Sequence, residues 1–288
     1  MQGFIDLHCH WVAGIDDGAR SVEAGIAMLR GLGLAGFDIV VATPHMRPGM
    51  FDNDQAALSE AFAAMGPPVD AARKEGPLPA VHLASEHFFD DVVFDRIRRG
   101  EGLPYPSFAP SFARSFAPAA PAQAPLLAAG ANGKNGRAAA WTPPAKPAKR
   151  GVLVEFAPER FPLSAHHRFF DLHRSGYLPV VAHPERYAPV WKDTASLAPF
   201  VEAGAYLLLD VCSLVGKYGR AAQRASEKLI EESAYAAACS DAHKPEDIDV
   251  VVEAIARLKK LVGEEGAREL LSSGPRRILN IPDAGSGT

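Results

Sequence analysis

Nine acid and imidazole side chains stand at or near the ends of short apolar runs: His8, His10, Asp17, His45, Glu86, Glu155, His183, Asp241 and His243. A residue that closes a buried strand projects into whatever opens at that end of the sheet. Ligand types recurring at strand after strand therefore predict one site assembled by many strands. His8-Cys9-His10 places two imidazoles on one side of an extended segment, because residues i and i+2 share a face. Asp241-Ala242-His243 repeats the device with a carboxylate and an imidazole. Mixed nitrogen and carboxylate donors suit Mn, Zn or Fe, and a set without thiolates argues against a structural zinc site. Cys9 alternates away from its neighbours and is expected in the core. A carboxylate such as Glu86 can bridge two ions, so this set could hold two or three divalent metals. A hydroxide held between them would attack a phosphorus or carbonyl centre, which makes the expected chemistry hydrolytic.

Each residue taken singly has a plainer role. A buried histidine is more often a hydrogen-bonded core residue than a ligand. Asp17, between Asp16 and Gly18, could belong to a simple turn. Glu155 within Val-Leu-Val-Glu-Phe is harder to explain so, because an unpaired buried carboxylate is expensive. The recurrence of the pattern carries the argument. His82, His87, His166, His167 and His173 fall beside or away from strand ends and are read as structural or surface residues.

The elements that must position these residues are legible as strand–helix repeats. Seven segments rich in Val, Ile and Leu read as buried strands: 4–8, 38–43, 80–85, 151–156, 178–182, 205–210 and 235–240. Such runs lack polar alternation and suit parallel strands covered on both faces. Helical stretches at 21–34, 54–65, 166–175 and 220–233 lie between most of them. The order predicts an α/β fold, open or closed into a barrel, with its site at the carboxyl ends of the strands.

A chain of 288 residues with 48% hydrophobic and 22% charged residues can bury a sizeable core as one domain. The net charge of −4 argues against a dedicated nucleic-acid binder. No apolar run approaches the roughly 18 residues of a membrane span, and the start lacks a basic leader, so a cytoplasmic protein without membrane insertion is expected. The three cysteines, Cys9, Cys212 and Cys239, read as reduced core thiols. From Pro104 to Arg150 the composition turns to Ala and Pro, 24 of 47 residues, with Ser-Phe-Ala repeated at Ser107, Ser111 and Ser115. This stretch holds six cations and no acid. It reads as a disordered or loosely attached insertion, inert or a basic tether.

Two motifs mislead. Gly31-Leu-Gly33-Leu-Ala-Gly36 matches a dinucleotide fingerprint, yet it follows a helix and precedes a strand, the wrong order for a pyrophosphate site. A cysteine-nucleophile phosphatase needs Cys-x5-Arg. Six residues after Cys9, Cys212 and Cys239 stand Ile15, Tyr218 and Pro245.

Phe4-Ile-Asp-Leu-His-Cys-His10 followed by Gly14-Ile-Asp-Asp-Gly18 resembles the opening of the polymerase-and-histidinol-phosphatase (PHP) superfamily. The pieces Ala42-Thr-Pro-His-Met-Arg47, Ser85-Glu86, Val154-Glu-Phe156, Ala182-His-Pro-Glu-Arg-Tyr187, Cys239-Ser-Asp-Ala-His243 and Gly274-Pro-Arg-Arg-Ile-Leu279 narrow the resemblance. They are similar to the bacterial capsule and exopolysaccharide tyrosine phosphatases of the CpsB/CapC type. The resemblance implies a distorted seven-stranded (β/α) barrel with a manganese-dependent trinuclear site. His8, His10, Glu86 and Asp241 would hold one ion. Glu86 would bridge to a second completed by Glu155 and His183, and Asp17, His45 and His243 would hold the third. Arg47 and Arg186 match arginines expected near the substrate phosphate, with a metal-bound hydroxide as nucleophile. The implied substrate is a phosphotyrosine protein, the tail of a tyrosine kinase that controls polysaccharide export. The chain departs from the group in lacking an arginine along Lys244-Pro-Glu-Asp-Ile-Asp249. Two alternatives stay open. One is a PHP enzyme for a small phosphomonoester such as histidinol phosphate, and the other is a non-catalytic regulatory module.

Overall fold

Among the described residues nine short strands form where the apolar runs predict seven. They are β1 (Phe4–Cys9), β2 (Phe37–Ala42), β3 (His45–Met46), β4 (Ala80–Leu83), β5 (Glu86–Phe88), β6 (Arg150–Glu155), β7 (Tyr177–Ala182), β8 (Tyr206–Asp210) and β9 (Ala237–Cys239). The computed structural model describes residues 3–108 and 149–281. Every strand pairing is parallel, in two sheets of order β1-β2-β4 and β3-β5-β6-β7-β8-β9. The fold is therefore α/β with parallel sheets, as the strand–helix order predicts.

The difference in number has a local cause. The predicted run 80–85 stops early as β4, β5 forms just beyond it, and β3 forms just beyond β2. Pro44 has no N–H to continue a ladder. The Glu86 N–H reaches back instead to the carbonyls of Thr43 and Pro44, at 3.4 and 3.2 Å, and Ser85 Oγ donates to the Pro44 carbonyl at 2.8 Å. Both chains step sideways together at this point. The step brings His45 and Glu86 into register as partners at the start of β3 and β5.

At the other edge, Cys9 bridges in parallel to Ala242 beyond β9. Asp241 N–H donates to the His8 carbonyl and His10 N–H to the Ala242 carbonyl, both at 2.9 Å. These bonds hold the two short ligand pairs of the sequence side by side.

Alternate residues of each strand enter two separate cores, the period-2 signature of strands buried on both faces. Ile5, Leu7, Ile39, Val41, Leu153, Val180, Leu208 and Cys239 face one another, and Tyr105, Ile278 and Leu279 pack into the same cluster. Val40, Val152, Val154, Val181, Leu207 and Leu209 face the helices. Fully burying each such side chain is worth about 1.5–3 kcal/mol, so this doubly covered sheet is a rigid base for the site.

The helices begin where capping side chains stand. Ser21, Asp54 and Asp90 accept from the N–H groups of Ala24, Ala57 and Val93 at the starts of Val22–Ala35, Gln55–Ala64 and Asp91–Arg98. In the misleading glycine motif, a Cβ at Gly31 would lie 2.7 Å from Ile248 of helix Asp247–Arg268. Gly36 ends its helix with a left-handed φ of 109°. The motif serves packing and capping. All three cysteines are free and buried. Among the described residues, no helix is long and apolar enough to cross a membrane.

The Ala/Pro stretch is narrower in its described part than its composition suggests. Pro104 and Tyr105 are buried, and the Tyr105 hydroxyl donates to the Leu7 carbonyl at 2.9 Å. Arg150 already opens β6. Residues 109–148, with most of the predicted insertion, lie outside the described residues. Phe108 meets His82 of β4 edge to face at 4.7 Å, and Asn280 donates to the Lys149 carbonyl at 2.9 Å. The Lys149 anchor directly precedes β6, at the end opposite the ligand Glu155. Replacing 109–148 by a short Gly/Ser linker should leave the circular dichroism spectrum unchanged and the melting temperature within a few degrees, since a twofold change in loop length costs only about 0.6 kcal/mol. Unfolding of that variant would assign the stretch a structural role.

Candidate metal centre

The structure brings all nine sequence-predicted ligands together, although they come from six strand ends and one loop. His8 lies in β1 and His10 just after it, His45 opens β3, Glu86 opens β5 and Glu155 closes β6. His183 follows β7, while Asp241 and His243 follow β9. Asp17 reaches in from the loop after β1. Their ligand atoms fall into four overlapping groups, with the atoms of each within 4.8 Å of one another. These are His8, His10 and Asp241; His8, Glu86 and His183; His45, Glu86 and Glu155; and His10, Asp17, His45 and His243.

Glu86 is the hub. Its Oε2 lies 3.2 Å from His8 Nε2, 3.5 Å from His10 Nε2 and 3.1 Å from His45 Nδ1. Its Oε1 lies 3.0 Å from His183 Nε2. Asp241 Oδ1 stands 3.2 Å from His8 Nε2 and 3.4 Å from His10 Nε2. Burial alone would neutralise every one of these groups. It pushes the Glu86 and Asp241 carboxyls up, but the surrounding cationic groups, His8 foremost with His45 beside Glu86 and Arg186 beside Asp241, together outweigh it and both end well below the usual carboxylate range. Burial pushes His8 and His10 down, while Asp241 and Glu86 for the first and Asp16 for the second carry them above the ordinary imidazole value. Glu155 goes the other way. Its burial, reinforced by the nearby Glu86 charge, pushes it up to about 7.

The residues fit divalent cations on two counts. The donors are all nitrogen and oxygen, with Cys9 Sγ turned to the Ala242 carbonyl. Several converging buried atoms also have no hydrogen-bond partner: Asp241 Oδ1, Glu155 Oε2 and His45 Nδ1. Orphaned buried acceptors are costly unless something fills the space between them.

The backbone contributes as well. His183 and Asp241 adopt left-handed φ values of 34° and 45°, uncommon for residues with a side chain. Strained conformations of this kind cluster at functional sites.

Residues that sequence reasoning passes over hold the ligands in place. Asp16 Oδ2 accepts from His10 Nδ1 at 2.8 Å and from the His45 backbone N–H at 3.0 Å. Its contact turns His10 Nε2 toward the centre, the usual role of a carboxylate behind a ligating histidine. A carboxylate next to Asp17 in Asp-Asp-Gly was the available signal. Asp6 accepts from the Ser240 N–H at 2.9 Å, tying β1 to the Asp241 turn. Asp247 accepts from the His243 N–H at 2.9 Å. Asp16→Asn should weaken metal binding about 10–100-fold, the range for losing such a partner. Isothermal titration with Mn checks this, and unchanged affinity would remove Asp16 from the site.

The two arginines predicted near phosphate differ. The Arg47 guanidinium lies 4.1 Å from the centroid of the Phe88 ring, close enough to Glu155 to draw its carboxyl down. Arg186 is committed elsewhere. Its Nη2 donates to both Asp210 and Asp241, and its guanidinium lies 3.6 Å over Tyr218. It holds a ligand in position, which its strand-end neighbours in sequence did not reveal. The remaining histidines lie outside the cluster. His87, for one, is spent on the Leu153 carbonyl and Leu103 N–H, at 2.9 and 3.1 Å.

The centre opens on one side. Asp17 is 55% exposed and His243 26%, whereas the side chains of His8, His10 and Glu86 are at most 1% exposed. A cleft of about 450 Å³ adjoins the exposed pair, with Arg20 and Lys244 among its walls. These two exposed cations occupy the mouth where an anion would arrive.

Fold and site together define a parallel α/β protein with a cluster of metal-ligand side chains at the carboxyl ends of its strands. The chain belongs to the capsular polysaccharide synthesis CpsB/CapC family, whose model matches residues 4–104 and 147–280. The unmatched interval falls within the Ala/Pro stretch. The tyrosine-protein phosphatase YwqE of Bacillus subtilis is 26% identical over 91% of this chain and 86% of its own length. The tyrosine-protein phosphatase CpsB of Streptococcus pneumoniae is 21% identical over 96% of this chain and 98% of its own. A crystal structure from a study of YwqE and CpsB, described as metal-dependent tyrosine phosphatases, shares the fold. Its TM-score is 0.73 at 24% identity, covering 97% of this chain and 96% of that one.

Proposed function

We propose that this protein is a metal-dependent protein-tyrosine phosphatase acting in capsule or exopolysaccharide synthesis. The observation that carries the reading is the convergence of nine nitrogen and oxygen ligands in four overlapping groups, in a family whose relatives include proteins named as tyrosine phosphatases. His8, His10, Asp241 and Glu86 would hold one divalent cation. Glu86, Glu155 and His183 would hold a second, and Asp17, His45 and His243 a third, Mn being the first candidate. Bound cations would activate water and neutralise charge on the phosphoryl oxygens. Asp16 orients His10, and Arg186 fixes Asp241. Arg47, with Arg20 and Lys244 at the mouth, would hold the phosphoryl group and exclude neutral ligands, Arg47 bidentately. A tyrosinate leaving group needs modest assistance, its conjugate acid having a pKa of about 10. The Cys9–Ala242 bridge supports reading the two sheets as one distorted seven-stranded barrel. A cytoplasmic kinase tail is the proposed partner.

The test is metal titration of the chelated protein with Mn, Zn and Fe during hydrolysis of a phosphotyrosine peptide and, separately, histidinol phosphate. Metal-dependent release from the peptide alone is expected. Preference for histidinol phosphate would move the chain to small-metabolite chemistry, and metal binding without turnover would make it a regulatory module.

A further inference from the structure

Helix Gly219–Glu231 carries Arg220, Arg224 and Lys228 at four-residue spacing, so all three lie along one exposed stripe. Facing the stripe is the end of helix Ala188–Lys192, with Trp191 and Lys192. Together with Asp193 these residues bound a groove of about 390 Å³. Lys192, Arg220 and Arg224 form no ion pair among the described residues, and Lys228 reaches Glu232 at 3.7 Å. Asp193 is occupied in accepting from the Ala195 N–H at 3.0 Å. The helix's other faces are spent internally: Glu227 pairs with Arg257 at 2.8 Å, while Ala222, Ala225 and Leu229 are buried.

Like charges four apart on a helix repel. In a chain of net charge −4, this groove reverses the local sign and returns nothing to the fold. Trp191 adds a second signal. Its Nε1 donates to the Glu185 carbonyl at 2.7 Å, which fixes the indole, yet 46% of the residue stays exposed. A pinned, half-exposed indole beside unpaired cations is a recognition surface: a rigid apolar wall with anion-seeking neighbours.

We propose that this groove docks an extended acidic peptide segment of the protein substrate, with carboxylates on Arg220, Arg224 and Lys192 and an apolar side chain against Trp191. A walled groove suits a peptide better than a flat lipid surface. One wall, residues 190–194, follows by a short stretch of chain from the ligand His183 and from Arg186, which ties the groove to the metal centre. The occupant's identity rests on the protein-phosphatase reading. The charge pattern also steers approach before contact.

The experiment uses the full chain with Mn. An unphosphorylated, fluorescein-labelled peptide of Glu, Asp and one Phe is titrated by anisotropy, beside a peptide with Gln and Asn in place of the acids. The acidic peptide should bind, the neutral one should not, and affinity should fall between 50 and 300 mM salt as screening grows, a change of roughly threefold or more. The variant K192E/R220E/R224E should bind the acidic peptide roughly 10-fold more weakly, as expected for three exposed ion pairs. Its turnover of para-nitrophenyl phosphate should be unchanged. On a phosphotyrosine peptide with an acidic extension, the variant should show raised KM and unaltered kcat. Equal binding by variant and parent, or equal binding of both peptides, overturns the proposal. Binding to phosphatidylserine vesicles without peptide binding also overturns it and reassigns the face to a membrane. Failure to hydrolyse para-nitrophenyl phosphate with any metal sinks the phosphatase reading alone, because peptide binding is measured independently.

Discussion

Replacing Glu86 by glutamine is expected to abolish phosphatase turnover while the chain stays folded. The Glu86 carboxylate sits among four imidazoles, with Oε2 3.1–3.5 Å from those of His8, His10 and His45 and Oε1 3.0 Å from that of His183. Glutamine keeps the shape but turns one acceptor into a donor and removes the charge shared by two of the four ligand groups. Charge stabilisation by metals is worth several kcal/mol in a transition state, so kcat/KM should drop by about a thousandfold or more. Bound Mn per chain, measured by mass spectrometry, should fall in parallel. If buried imidazoles left without their carboxylate unfold the variant, His243→Ala gives the same readout at lower folding cost, since His243 is 26% exposed. Near-normal turnover by both variants at saturating Mn would sink the site assignment.

Removing metal from the intact protein should cost stability as well as activity. A ligand at a hundred times its Kd stabilises the folded state by about 2.7 kcal/mol. In a chain of this size each kcal/mol moves the melting temperature by roughly 2–4 °C. Excess chelator should therefore lower the melting temperature by roughly 5–10 °C for each ion lost, with recovery on adding Mn. The metal-free protein should still fold, because Glu86 and Asp241 face His8 and His10 closely enough for acid and base to compensate one another. A melting temperature indifferent to chelator, with full activity, would mean that these side chains form a structural polar network.

Much of this centre was legible from residue type and position. Strand ends are readable because apolar runs are readable, and His8, Glu155 and His183 follow directly from where β1, β6 and β7 stop. His45 and Glu86 were found for a partly mistaken reason. They were read as lying just past the ends of the strands predicted at 38–43 and 80–85, but they open two new ones after the sheet steps sideways at Pro44 and Ser85. A proline reports a lost donor; it does not report that the neighbouring chain will shift with it. The supporting acids were harder still. Asp210 meets Arg186 across 24 residues of sequence, and Asp16 meets His10 only because the loop folds back. Such pairings depend on loop geometry, which has no period to read. The helix starts read at 21 and 54 were legible, and each coincides with a cap, Ser21 or Asp54, that acts within one turn.

The left-handed backbone at His183 and Asp241 restricts what mutation can explore there. Among residues bearing a side chain, Asn, Asp and His visit that conformation most readily, and β-branched residues scarcely at all. Of these three, aspartate and histidine are common metal ligands. Drift at these two positions is therefore confined by chain geometry to an alphabet already rich in metal chemistry, even in a lineage that had lost its catalytic purpose. A descendant that abandoned the reaction would be expected to keep ligand-like residues here longer than at Glu155, where an ordinary strand imposes no such filter.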